Sequence, residues 1–176
     1  MHRKLLKGKR AASVFPAPCR AALFAKSYKK ACQINDQATG KRLSVQTYSI
    51  VRKIRQVDSF LPRNKLARGR IREIHPEVCF LALAGRPMRY SKKSTWGFQE
   101  RIQVLQSVFP QTGKLVDFAL STYRRRDVAS DDVLDALVAA VTAIGGLKGL
   151  MSIPKEPEFD SRGLRMQIMF RPDHPM

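Results

Sequence analysis

The sequence predicts a single α/β domain on three observations. Apolar residues recur at helical spacing through much of the chain, two short segments read as strands, and 176 residues suffice for one domain with its own core. Residues 20–34 carry Leu23, Phe24, Tyr28 and Ala31 on one helical face, with Pro18 just before. A polar turn is expected over 36–40. Ser44 can cap a second helix whose stripe of Val45, Tyr48, Val51, Ile54, Val57 and Leu61 leaves Arg52, Lys53 and Arg55 facing away, and Pro62 stops it.

Residues 70–75 are short, lie between Gly69 and Pro76, and favour a strand with Ile71, Glu73 and His75 on one side. Pro76 suits the first turn of a helix through Leu83 that Gly85 closes, which makes a strand-to-helix elbow. A basic turn over 86–93 leads to a helix over 95–108, ended by Pro110. Ser130 is expected to cap a long helix reaching Ile144, closed by Gly145 and Gly146. A loop over 154–163 then leads to a strand over 164–170. The expected organisation is a disordered basic start at 1–10, one domain over 11–170, and a tail at 171–176.

The formal charge of +19, with 33 Lys and Arg against 14 Asp and Glu, exceeds what solubility requires. Such a field attracts polyanions, so nucleic acid, DNA or RNA, is the expected partner, ahead of an anionic membrane surface. No apolar run approaches the ~20 residues of a membrane span, and no membrane role is expected. The acid-free opening also fits an organelle transit peptide, but Phe15-Pro16-Ala17-Pro18 would interrupt the helix such a peptide forms. Cys19, Cys32 and Cys79 are odd in number and widely spaced, which points to a reducing compartment and a cytoplasmic protein. Oligomeric state is not legible.

Acids are scarce, so their placement carries information. Glu73 and Glu77 flank the elbow, while Asp127, Asp131, Asp132 and Asp135 crowd the start of the long helix. Asp132 and Asp135 are three apart and share a face that continues along Ala139 and Thr142. Convergent carboxylates repel unless a cation compensates, and hard oxygen ligands favour Mg²⁺ or Mn²⁺. Against this, acids in a first turn are stabilised by the helix dipole whatever the function, a reading that weighs more on Asp131 and Asp132 than on Asp135. His75 is open as general base, helix cap or packed histidine, with the structural readings ahead. Lys92, Lys93, Arg124 and Arg125 are candidates for phosphate contact, or for solvated turns. Trp96, Tyr90 and Tyr123 lie beside basic residues, where core packing is the more common role. Walker, GxGxxG, HExxH and GxSxG patterns are absent, which removes support for nucleotide cofactors, zinc proteolysis and serine hydrolysis.

Several segments together resemble a known family. They are Ser13-Val14-Phe15-Pro16-Ala17-Pro18, Ile54-Arg55-Gln56-Val57-Asp58, Arg72-Glu73-Ile74-His75-Pro76-Glu77-Val78-Cys79-Phe80, Ser91-Lys92-Lys93 and Asp131-Asp132-Val133-Leu134-Asp135-Ala136-Leu137. In that order they resemble the prokaryotic domain of unknown function 429, described as predicted nucleases of the RNase H-like fold, over residues 9–170. The resemblance implies a mixed sheet flanked by helices, with Glu73 ending an inner strand and Asp132 and Asp135 on the closing helix, which is also similar to the acidic helix of RuvC-type resolvases. It implies a Mg²⁺- or Mn²⁺-dependent phosphodiester hydrolase with Glu73, Asp132 and Asp135 as catalytic metal ligands and Asp131 as an alternate ligand. Lys92, Lys93 and Arg101 would then help on the phosphate side. Members of the family open with a hairpin bearing Gly-x-Asp, followed by a second Asp motif. The chain shows neither, so a fold lacking its first strands and an impaired or absent activity are expected, with a non-catalytic nucleic-acid-binding protein or a truncated remnant as the alternatives.

Overall fold

Side-chain oxygens start half of the α-helices among the described residues. The computed structural model describes residue 15 and residues 17–144 and 146–172. The expected basic start at 1–10, Gly145, and residues 173–176 of the tail lie outside these. Contacts group the described residues into two compact units, one within residues 12–71 and one within residues 72–172.

In residues 12–71 the helix expected over 20–34 is two pieces. A 3-10 turn, Arg20–Phe24, ends at an extended Ala25. Ser27 then restarts the helix by accepting a hydrogen bond from the Lys30 N–H at 3.3 Å. The result, α1 (Tyr28–Thr39), runs through most of the expected polar turn and stops at Gly40, whose φ of 66° is the left-handed conformation that glycine adopts without strain. The helix expected over 44–61 also divides, at Ile50, into α2 (Val45–Ser49) and α3 (Val51–Phe60). Ser44 caps α2 as expected, accepting from Thr47 N–H at 3.0 Å. Along the expected apolar stripe Val51 is buried while Val45 and Val57 are exposed.

A 3-10 turn, Leu61–Arg63, follows, and Asn64 caps α4 (Lys65–Arg70) by accepting from Ala67 N–H at 2.9 Å. The core of this unit is small, built on Ala22, Ala31, Cys32 and Leu43. Beside it the buried Asn35 accepts from Cys19 N–H and donates to the Lys41 carbonyl, both at 2.7 Å, so its burial leaves its amide satisfied.

In residues 72–176 the strand expected over 70–75 shrinks to one parallel bridge, Ile74 to Met169, because α4 claims residues up to Arg70. The elbow is otherwise as expected: α5 (Pro76–Ala84) begins with its proline and ends at Gly85, φ 66°. Ser94 caps α6 (Thr95–Val108), accepting from Gly97 N–H at 3.1 Å. A helix the sequence reading passed over, α7 (Thr112–Thr122), packs on α6 and on α8 (Ser130–Ala143).

The start of α8 differs from expectation. Ala129 is the cap position rather than Ser130, and the Asp132 carboxylate reaches back to the Ala129 N–H at 3.4 Å. Beyond α8, strand β1 (Met151–Phe159) occupies most of an expected loop and pairs antiparallel with β2 (Arg165–Phe170). The register breaks between Ile153 and Glu158, where Pro154 and Pro157, which have no N–H for the ladder, are accommodated.

The fold is therefore mixed α/β, with eight α-helices and a two-stranded antiparallel sheet among the described residues. Helix α5 packs on β2, α6 and α8. Phe80, Leu105, Leu134, Val138 and Phe170 fill the core of this unit. Arg171, expected in the tail, is tied down instead: its guanidinium donates to the Thr142 carbonyl at 3.2 Å and to the Gly146 carbonyl at 2.8 Å. Among the described residues no helix is long and apolar enough to cross a membrane.

Candidate functional site

Glu77 sits in the first turn of α5, where the helix dipole favours a carboxylate. It is nonetheless buried, and so needs a cation. Arg101, on α6 and 0% exposed, donates Nη2 to Glu77 Oε1 at 2.5 Å. The same guanidinium donates to the Gly97 carbonyl at 2.9 Å and the Tyr90 carbonyl at 3.3 Å, and stacks over the Phe80 ring at 5.4 Å. Arg101 was expected to face phosphate. Its charge is instead directed inward, where it compensates an acid and pins a loop.

That loop is residues 86–94, and a second buried acid of α6 holds it. Glu100 accepts from the backbone N–H groups of Arg89, at 2.9 and 3.0 Å, and Tyr90, at 3.1 Å, and from the Arg86 guanidinium at 2.8 Å. Burial alone would raise its pKa, but the Arg89 N–H, the Arg86 guanidinium and the Tyr90 N–H outweigh burial and hold Glu100 below its ordinary value. At the loop's end the backbone closes tightly on α6. A Cβ on Gly97 would stand 1.9 Å from the Ser91 carbonyl oxygen, so only glycine fits.

So anchored, the loop projects Lys92 onto α8. Its ammonium lies 2.7 Å from Asp135 Oδ2 and 3.1 Å from Asp131 Oδ2. Asp131 and Asp135 are four apart and converge. Asp132, expected to share the face with Asp135, is exposed and turned back toward the helix start. Burial pushes the Asp135 carboxyl above its ordinary value, with Asp131 and Glu77 adding to the rise and Lys92 opposing it. Lys92 is held above its own ordinary value, because hydrogen bonding and attraction from Asp135, then from Asp131, outweigh the effect of burial.

The remaining sequence candidates are dispersed. Glu73 is exposed and contributes its carbonyl, which accepts from Met169 N–H at 2.8 Å. His75 occupies the cap position of α5, where its carbonyl accepts from Val78 and Cys79 N–H, while its ring makes no cap bond. Lys93 and Arg125 are exposed. Arg124, also exposed, pairs with Asp127 at 3.1 Å. Glu77 was singled out only as an acid at the elbow, and Glu100, which holds the loop, was missed; the scarcity of acids in this chain was the signal available for it.

As arranged, these residues do not fit a divalent ion. The point where Asp131 and Asp135 meet is taken by an ammonium group, Glu77 is bound to Arg101, and Asp132 turns back to the Ala129 N–H. Among the described residues no three His, Cys, Asp or Glu side chains are grouped to hold a metal.

Charge is distributed unevenly along the chain. Residues 12–71 hold 13 Lys and Arg against 2 Asp, whereas residues 72–176 hold 15 against 12 Asp and Glu. The most basic described segment is therefore residues 12–71, remote in sequence from the carboxylates of residues 73–135.

The family described as protein of unknown function (DUF429) matches the chain over residues 1–159. No curated protein and no solved structure matches it.

Proposed function

The chain belongs to the family described as protein of unknown function (DUF429), and on that premise we propose that it binds nucleic acid through the basic helices of residues 12–71. The carrying observation is the 13-to-2 excess of basic over acidic residues there, with Arg52, Lys53, Arg55 and Arg63 all exposed. Phosphate neutralisation by such a surface releases condensed counterions and is sequence-independent. The acidic cluster of the other unit suits a structural role in this reading, since Lys92 and Arg101 already compensate it. Free Cys19, Cys32 and Cys79 suit a cytoplasmic, reducing setting. Titration of labelled DNA and RNA at several salt concentrations tests the reading. Affinity is expected to fall steeply with salt and to be indifferent to EDTA; undetectable or salt-insensitive binding overturns it.

One observation favours a second reading, the Mg²⁺- or Mn²⁺-dependent nuclease of RNase H-like fold that the family resemblance implies. Two carboxylates, Asp131 and Asp135, already converge on a single cationic point. In that reading Lys92 would have to leave before a metal could enter. Cleavage of labelled nucleic acid with Mg²⁺ or Mn²⁺, lost with EDTA and in Asp135→Asn, supports it. No cleavage under any metal removes it.

A further inference from the structure

The 3-10 turn Arg20–Phe24 and helix α3 enclose an open groove of about 550 Å³, lined by Phe24, Arg55, Gln56, Ser59, Phe60 and Arg63. Its size lies in the range of clefts that take small organic groups. On the α3 side Arg55 and Ser59 are spaced by four, as are Gln56 and Phe60, and Arg63 follows in the 3-10 turn Leu61–Arg63. The opposite wall is fixed in place by Arg20, whose Nε donates to the buried Asp58 of α3 at 2.9 Å. The groove is thus preformed rather than assembled by a ligand.

Its chemistry is specific in kind. Phe24 and Phe60 are 54% and 49% exposed, although the unit has a small core that could have used them. Arg55 lies over the Phe24 ring at 6.0 Å, and neither Arg55 nor Arg63 pairs with a carboxylate among the described residues. Two exposed aromatic faces, two arginines without acids, one amide and one hydroxyl form a set able to stack a planar base and hold the phosphates beside it. Duplex nucleic acid keeps its base faces covered and would use only the arginines.

We propose that this groove receives an unpaired base of single-stranded nucleic acid, stacked against Phe24 and Phe60, with Arg55 and Arg63 on the flanking phosphates. The proposal rests on the nucleic-acid-binding reading above and narrows it to a substrate class. The excess positive charge of residues 12–71 argues for this polyanionic occupant over an apolar peptide.

The test is fluorescence anisotropy of the full chain with a labelled single-stranded oligonucleotide and the corresponding duplex. The variants are Phe24→Leu and Phe60→Leu, which remain apolar and keep the fold, and Arg55→Gln. The single strand is expected to bind more tightly than the duplex. Each Leu variant should lose about tenfold in single-strand affinity, with the duplex unchanged. Arg55→Gln should weaken both. Photo-crosslinking of an iodouridine-substituted strand should map to Phe24 or Phe60. Equal, salt-dependent binding of strand and duplex, unaltered by the Leu variants, overturns the groove and leaves the binding function standing. No binding of either nucleic acid overturns both.

Discussion

Arg101 illustrates how a side chain read as a surface cation becomes structural. Truncating one partner of a buried pair strands the other charge, so Arg101→Met is expected to cost about 3–5 kcal/mol in denaturant unfolding. A double variant that also makes Glu77→Leu should recover much of that loss; if the double is as unstable as the sum of the singles, the pair is not coupled. Lys92 is partly exposed, so Lys92→Met is expected to cost less, about 1–2 kcal/mol. Asp135 has the opposite sign. Its folded pKa lies above the ordinary 3.8, so the native state holds its proton more tightly than the unfolded chain. Its contribution is present below that value and is lost as pH rises through the raised one. Asp135→Asn should therefore be neutral or stabilising at pH 7 and should flatten that part of the stability curve, which urea melts across pH 3–7 would read. The spacing of Asp131, Asp132 and Asp135 was visible in the sequence. Which two would converge was not, because the backbone turn at the helix start lets Asp132 accept from the Ala129 N–H.

At the scale of elements, some caps were legible and others were not. Ser44 and Gly85 begin and end helices where expected, whereas Ala129 takes the cap position expected for Ser130, and the Ser94 cap emerged only in the structure. The failures have local causes as well. Ser27 and Asn64 are also good caps, but each lies inside or beside a segment whose apolar or β-branched pattern suggested another element. Strand β1 was hidden by Pro154 and Pro157, which normally argue against a strand and here fall in its irregular stretch. The α6 start makes a sharp prediction. Gly97→Ala must push the Ser91 carbonyl away, displacing the loop that carries Lys92, and is expected to cost about 1–3 kcal/mol. A melting temperature within error of the parent would show that the close approach is not obligatory. Ser94→Ala should cost about 1 kcal/mol by loss of the cap alone.

For the whole molecule, the uneven charge carries the functional expectation. Neutralising Arg52 and Lys53 together should lower the salt dependence of nucleic-acid binding by about two units of slope. Neutralising Arg124 and Arg125 should lower it less, because Arg124 is already paired with Asp127. Equal effects from the two pairs of changes would mean that both units share the phosphate contacts.

By itself the sequence determined the helical segments with clear caps, the elbow at Pro76, the family, and the excess of positive charge. Each of these depends on residue identity or short-range spacing, which a linear reading contains. Only the tertiary structure decided that Arg101 and Glu77 would meet inside, that Lys92 would occupy the junction of Asp131 and Asp135, and that Phe24 and Phe60 would line one groove. Those pairings join residues 24 to 43 positions apart. They depend on how packed helices place a side chain, and on the cost of burying a charge without a partner.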